Sequence, residues 1–240
     1  MDPENEIPLY SSRITNTYIE YLALYYPDVD IDDVLKHAGM TRYEVEDPGH
    51  WFTQTQVDRF HDKIVKKTGD TAISRTVGRS VASAESMGAV RQYGLGLMGP
   101  LSLYLMIKKL HDTMTKGATT TAKKLGPNRV EIVVTPYAST NEKPYQCENR
   151  KGTFESLAKA FTGKFAQIEE PKCYHKGDDC CQYIIDWTSS PAKYFKRFRN
   201  IVVGISIISA LILFFTLPIF PWIIFSLSCT SLCALISYRT

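Results

Sequence analysis

The chain has 240 residues, 44% hydrophobic and 22% charged, a composition that suits a globular domain carrying an additional apolar segment. A formal net charge of +3 is too small to point to nucleic acid, and no helix-turn-helix or basic-aromatic strand pattern makes up for it. Six cysteines in a chain this long, behind the acidic, proline-bearing start MDPENEIPLY, argue against a secreted disulfide scaffold and for a reducing compartment.

In chain order, Thr15–Tyr26 reads as a helix, with Tyr18, Ile19, Tyr21, Leu22 and Tyr25 at three- and four-residue spacings before Pro27 stops it. Asp30 or Asp32 can cap a short helix through Val34, Leu35 and Ala38 that Gly39 ends. Thr53 is a good N-cap for Gln54–Lys67, whose apolar stripe runs through Val57, Phe60 and Ile64. Asp70–Ala84 continues the helical pattern. A glycine-rich passage follows at Gly88, Gly94, Gly96 and Gly99; it lacks the strand before and the acid after that a dinucleotide site needs. Pro100 then opens a helix through Leu101, Leu105, Ile107 and Leu110.

From Ala118 the period shortens. ATTTAKKLG and RVEIVVTPY are strand-like runs around Gly126-Pro127-Asn128, a hairpin signal. A helix over Thr153–Phe161 and strands around Phe165–Ile168 and Gln182–Trp187 complete the pattern. Helices first and an antiparallel sheet later predict an α+β domain.

Four cysteines fall between Cys147 and Cys181. Lys176-Gly177-Asp178-Asp179 reads as a hairpin turn that brings Cys173 and Cys181 together. Cys147, Glu170, Cys173 and Cys181 then offer three thiolates and a carboxylate, a set suited to closed, tetrahedral, structural Zn²⁺. Cys180 competes with Cys181, and His175 with Glu170. Buried, unligated thiols are the alternative.

These residues carry a resemblance. Cys147, then Gly152, Glu170-x-x-Cys173, Gly177 and Cys181 before an aromatic strand resemble the 4-vinyl reductase domain family over Pro144–Trp187. That family includes the zinc-bearing sensor domains of phenol- and xylene-responsive activators. WFTQTQVDRF and PYQCENRKG are similar to phrases in the input regions of bacterial membrane-linked sensor kinases. The resemblance implies zinc on Cys147, Glu170, Cys173 and Cys181. It implies a C-terminal sheet with a zinc-stapled hairpin.

The last fifty residues differ in kind. Lys193, Lys196, Arg197 and Arg199 form a basic collar, and Ile201–Ser237 holds no charge. As one helix that run would measure roughly 55 Å against a hydrocarbon core of about 30 Å. Pro218 and Pro221 divide it, so two transmembrane spans are expected, Ile201–Leu217 and Trp222–Tyr238. Flanking basic residues then put both termini and the soluble domain in the cytoplasm of a multi-pass inner-membrane protein, the collar facing anionic lipid. Cys229 and Cys233 read as packing residues. The expected organisation is a soluble domain over 1–187 (family-like core about 70–187), a basic linker over 188–200 and a membrane hairpin over 201–238.

No catalytic constellation is visible. The five histidines are scattered, and His50 beside Trp51 reads as structural. Haem is not expected, because the Tyr-x-Ser-x-Arg signature of haem-based nitric oxide sensors, which have a distantly related fold, is not reproduced by Tyr10-Ser-Ser-Arg13. The expectation is a non-enzymatic sensor of bacterial signal transduction. It takes a small apolar or aromatic ligand beside Trp51, Phe52, Phe60, Tyr93 and Tyr104, and pairs as a homodimer or with a signalling output partner. A reductase or accessory factor of tetrapyrrole metabolism and a dimerising scaffold are the alternatives.

Overall fold

The computed structural model describes residues 6–81, 99–188 and 191–216, together with 221, 222, 228 and 231. It divides into two compact units, Met1–Thr188 and Ser189–Thr240.

The first unit opens with helices whose ends follow local chemistry. Strand β1 (Tyr10–Ser11) runs into α1 (Ser12–Tyr25), where Ser11 caps the helix by accepting from the Arg13 amide. Asp30, rather than Asp32, caps α2 (Ile31–Ala38) by accepting from the Asp32 and Asp33 amides. Capping boxes start α3 (Arg42–Glu46) at Thr41/Glu44 and α4 (Gln54–Thr68) at Thr53/Gln56; each satisfies two amides that a helix start would leave orphaned. Between them β2 (Trp51–Phe52) pairs with β1. With α5 (Ile73–Ser80) these elements bury Tyr18, Leu22, Val34, Phe60, Ile64 and Val77 in one core.

A second core forms around a four-stranded antiparallel sheet of order β3-β4-β6-β5. Its strands are β3 (Ala118–Gly126), β4 (Arg129–Pro136), β5 (Gln167–Lys172) and β6 (Cys181–Asp186). The β3–β4 turn lies at Gly126–Arg129, with a bulge between Lys124 and Gly126. Val130, Ile132 and Val134 of β4 face Ile185, Tyr183 and Cys181 of β6 in register, and all six are buried. Alternation puts them on one face. Short helices α6 (Pro100–Leu105) and α7 (Ile107–Asp112) and the long α8 (Pro144–Thr162) supply Tyr104, Ile107, Phe154 and Leu157 to the same core.

Helix α8 begins nine residues before the Thr153 start read from sequence, because Pro144 occupies the first turn and Gln146 caps Lys143. Gly152 therefore lies inside a helix. It does so where α8 meets α5: a Cβ at Gly152 would stand 2.1 Å from the Arg75 carbonyl oxygen, and one at Gly78 2.2 Å from that of Asn149. Only glycine permits so close a crossing. Ser156 Oγ donates to the Gly78 carbonyl at 3.3 Å, Asn149 Nδ2 to that of Ser74 at 3.1 Å, and the Glu155 carboxylate accepts from Arg75 and Arg79 across it.

The second unit contains α9 (Pro191–Thr216). The transmembrane hairpin is corrected here: among the described residues no helix is long and apolar enough to cross a membrane. Although α9 has 26 residues, its first turns carry Lys193, Lys196, Arg197 and Arg199. The uncharged remainder, Ile201–Thr216, spans about 24 Å at 1.5 Å per residue, short of a hydrocarbon core of about 30 Å. The multi-pass inner-membrane placement and its cytoplasmic topology are corrected with it. The proposed second span, Trp222–Tyr238, lies almost wholly outside the described residues, as do Cys229, Cys233, Gly88, Gly94, Gly96 and Tyr93.

Candidate functional site

Between the two cores of the first unit lies a cavity of about 300 Å³. Helix α1 contributes Ile14 and Tyr18, α4 Val57, Phe60 and His61, and α7 Ile107, Leu110 and His111; α8 closes it with Tyr145, Gln146, Arg150 and Phe154. The wall is chiefly apolar, with a few convergent polar groups, which is the usual make-up of a small-molecule site.

Two of those polar groups are imidazoles with unpartnered ring nitrogens. Both ring nitrogens of His61 and the Nδ1 of His111 are buried and make no hydrogen bond. Burial, reinforced by the Arg150 charge, pushes the His111 pKa down to about 4; burial likewise lowers His61, against the pull of Asp62. Both rings are therefore neutral near pH 7, and a neutral imidazole is a metal ligand.

The other polar groups are tied together. Tyr10 donates to Gln54 Oε1. Gln54 Nε2 donates to Asp58 Oδ1 at 2.7 Å and Gln146 Oε1 at 3.2 Å, and Tyr145 donates to Asp58 Oδ1 at 2.9 Å. Burial raises the Asp58 pKa against those two hydrogen bonds, and burial pushes the Tyr10 phenol up to about 12. Arg150 Nη2 donates to Glu142 Oε1 at 2.9 Å. Burial works against the guanidinium charge, but Glu142 holds it firmly protonated. Arg13, also on the wall, is exposed and enters no ion pair among the described residues.

Of the residues singled out as pocket lining, Phe60 lies on this wall. Trp51 sits away from it under Lys116, whose Nζ is 3.9 Å from the ring centroid; Phe52 is buried in the helical core. Tyr104 stacks on Trp187 at 5.0 Å and donates to the Phe154 carbonyl at 2.6 Å. The thiol set is drawn together: donor atoms of Glu170, Cys173 and Cys181 lie within 4.8 Å of one another, and Cys147 Sγ is 3.6 Å from Cys181 Sγ. His175 groups with Cys147 and Glu142 instead, and Cys180 stays outside both groups. Fixed cations already face the cluster, Arg150 Nη1 at 3.7 Å from Cys147 Sγ and Lys151 Nζ at 3.4 Å from Glu170 Oε2.

The histidines do carry a signal in the sequence. His61 stands four residues after Val57 and His111 four after Ile107, each on the buried stripe of its helix. Tyr137-Ala-Ser-Thr-Asn141, just after β4, holds the Tyr and Ser positions of Tyr-x-Ser-x-Arg, with Asn141 in place of Arg; none of the three lines the cavity.

No family model matches the chain, and no curated protein does. Solved structures do. An H-NOX protein from S. oneidensis in the Fe(II)NO ligation state is 14% identical with a TM-score of 0.57, covering 75% of this chain and 99% of that one. An oxygen-binding H-NOX domain related to soluble guanylate cyclases is 21% identical at 0.58, covering 75% and 96%. A protein studied for modulating haem redox potential through porphyrin distortion is 19% identical at 0.57, covering 74% and 99%. Likeness at this identity shows a shared fold, a mixed α/β H-NOX-like one. It corrects the 4-vinyl reductase kinship and the fold class built on it, with its zinc-stapled hairpin. Structural zinc, read from the donor set and from that resemblance, is corrected with it.

Proposed function

We propose that the Met1–Thr188 unit is a sensory, ligand-binding module of signal transduction whose cavity takes haem through His111. The observation that carries this is a neutral imidazole on an apolar cavity wall whose Nδ1 is buried and unpartnered. Solved relatives in fold that are described with iron-bound nitric oxide or with porphyrin support it.

The residues fit the group. His111 offers a neutral nitrogen of the kind that holds haem iron. Ile14, Val57, Phe60, Leu110 and Phe154 exclude water from a flat apolar body, and Arg13, in no ion pair among the described residues, suits an anionic edge. When bound, haem supplies an iron able to ligate a diatomic gas. Signalling requires that ligand bind one arrangement of the walls better than another. The walls belong to separate elements, α1 and α4 on one side and α7 and α8 on the other, so a change in their spacing can reach an output partner. No catalytic step is assigned to these residues; the module senses.

Titration of the purified chain with hemin, beside iron-free protoporphyrin IX, tests the reading. Stoichiometric hemin uptake is expected, weakened roughly 100-fold or more by His111→Ala. Equal affinity for both porphyrins, unchanged by His111→Ala, would leave an apolar-ligand cavity and remove iron. No uptake would overturn the haem reading.

A further inference from the structure

A buried imidazole ordinarily donates its N–H or accepts through its other nitrogen, since leaving a buried polar group orphaned is costly. His61 does neither: both nitrogens are buried and unpartnered. Asp62 Oδ1, its nearest carboxylate, is 3.8 Å from Nδ1, beyond hydrogen-bond reach. The ring is nonetheless fixed. It stacks on Tyr145 with centroids 3.8 Å apart and planes 8° from parallel, and Tyr145 is anchored by its 2.9 Å hydrogen bond to Asp58. His61 lines the same cavity as His111 but comes from α4, whereas His111 comes from α7.

Resting on the haem reading above, we infer that His61 is a second ligand to the iron, making this a two-histidine site. One metal would then take up one unpartnered nitrogen from each of two imidazoles on separate walls of the same cavity. Tyr145 is the positioning residue that holds the second ring. An incoming gas would have to displace His61, so binding would be felt directly by α4 and by the Tyr145–Asp58–Gln54–Tyr10 hydrogen-bond chain, which reaches the N-terminal strand. The site would discriminate by competition with an internal imidazole.

The test is the spin and coordination state of the hemin-loaded full chain, read by absorption and electron paramagnetic resonance. A six-coordinate, low-spin spectrum is expected. His61→Ala, and His61→Gln should the alanine variant fail to fold, is expected to retain hemin but lose the low-spin signal, and added imidazole to restore it in the alanine variant. Tyr145→Phe, which keeps the ring but frees it from Asp58, is expected to leave a mixture of spin states. Hemin uptake with a high-spin spectrum, or a low-spin spectrum unchanged in a folded His61 variant, would overturn the second ligand while His111 stood. Absence of hemin uptake would overturn both.

Discussion

Replacing Gly152 by alanine probes the contact that sets α8, and with it one wall of the cavity. The added Cβ would lie 2.1 Å from the Arg75 carbonyl oxygen and 3.0 Å from the Arg79 amide nitrogen. An ordinary carbon–oxygen contact begins near 3.3 Å, so α5 and α8 must separate by roughly 1.2 Å. Neither neighbour is a flexible side-chain tip that can swing aside. Separation of that size breaks the Asn149–Ser74 and Ser156–Gly78 hydrogen bonds, at 3.1 and 3.3 Å, each worth about 1 kcal/mol. Overpacking adds about 2 kcal/mol, and alanine's better helix propensity returns about 1 kcal/mol. A net loss of about 3 kcal/mol is expected. For a unit of this size that lowers the melting temperature by about 6–12 °C, read by far-ultraviolet circular dichroism of the full chain. Gly126→Ala is the control, since its Cβ would meet only Arg129 Cβ at 3.6 Å. A Gly152→Ala protein that melts within 2 °C of the parent, by about the same margin as the control, would refute the crossing.

Three further outcomes are expected. Glu142→Gln leaves the Arg150 guanidinium buried without its counter-charge; the two side chains are 4% and 12% exposed, and a loss of about 3–5 kcal/mol in denaturant unfolding is expected, whereas less than about 1 kcal/mol would mean that water reaches the pair. Tyr10 is held protonated in the folded chain up to a pKa of about 12 against an ordinary 10. Above pH 10 the unfolded chain releases a proton that the folded one keeps, so this contribution of about 2–3 kcal/mol is complete below pH 10 and lost as the pH rises toward 12; the stability difference between parent and Tyr10→Phe should shrink over that window, and a constant difference would contradict it. Arg13→Ala should weaken hemin more than its dimethyl ester, with the melting temperature unchanged, and equal weakening of both would remove Arg13 from recognition of the anionic edge.

Local chemistry made parts of the fold legible. The N-cap at Thr53, the stop before Pro27 and the turn at Gly126–Arg129 depend on residues a few positions apart, and each forms as its residues dictate. The start of α8 is not legible in the sequence, because Gly152 and its charged neighbours resemble a loop until α5 is laid against them. The thiols are conspicuous in sequence and do come together, yet donor chemistry alone did not fix what they hold, and the zinc read from the donor set and the family resemblance is corrected by comparison of folds. His61 and His111 are fifty residues apart, with no motif between them. Only the packing of α4 and α7 around one cavity makes them a pair. The apolar C-terminal run reads as two spans divided at Pro218 and Pro221, but in the helix that is described, α9, the charged first turns leave an uncharged part too short for one.

The most direct measurement is a crystal structure of the hemin-loaded chain with the iron located by anomalous scattering. Iron bound to the His111 imidazole inside the cavity walled by α1, α4, α7 and α8 is the expected result. Porphyrin held elsewhere on the chain, or a cavity closed around its own side chains with His111 hydrogen-bonded within the protein, would contradict the haem-sensing role.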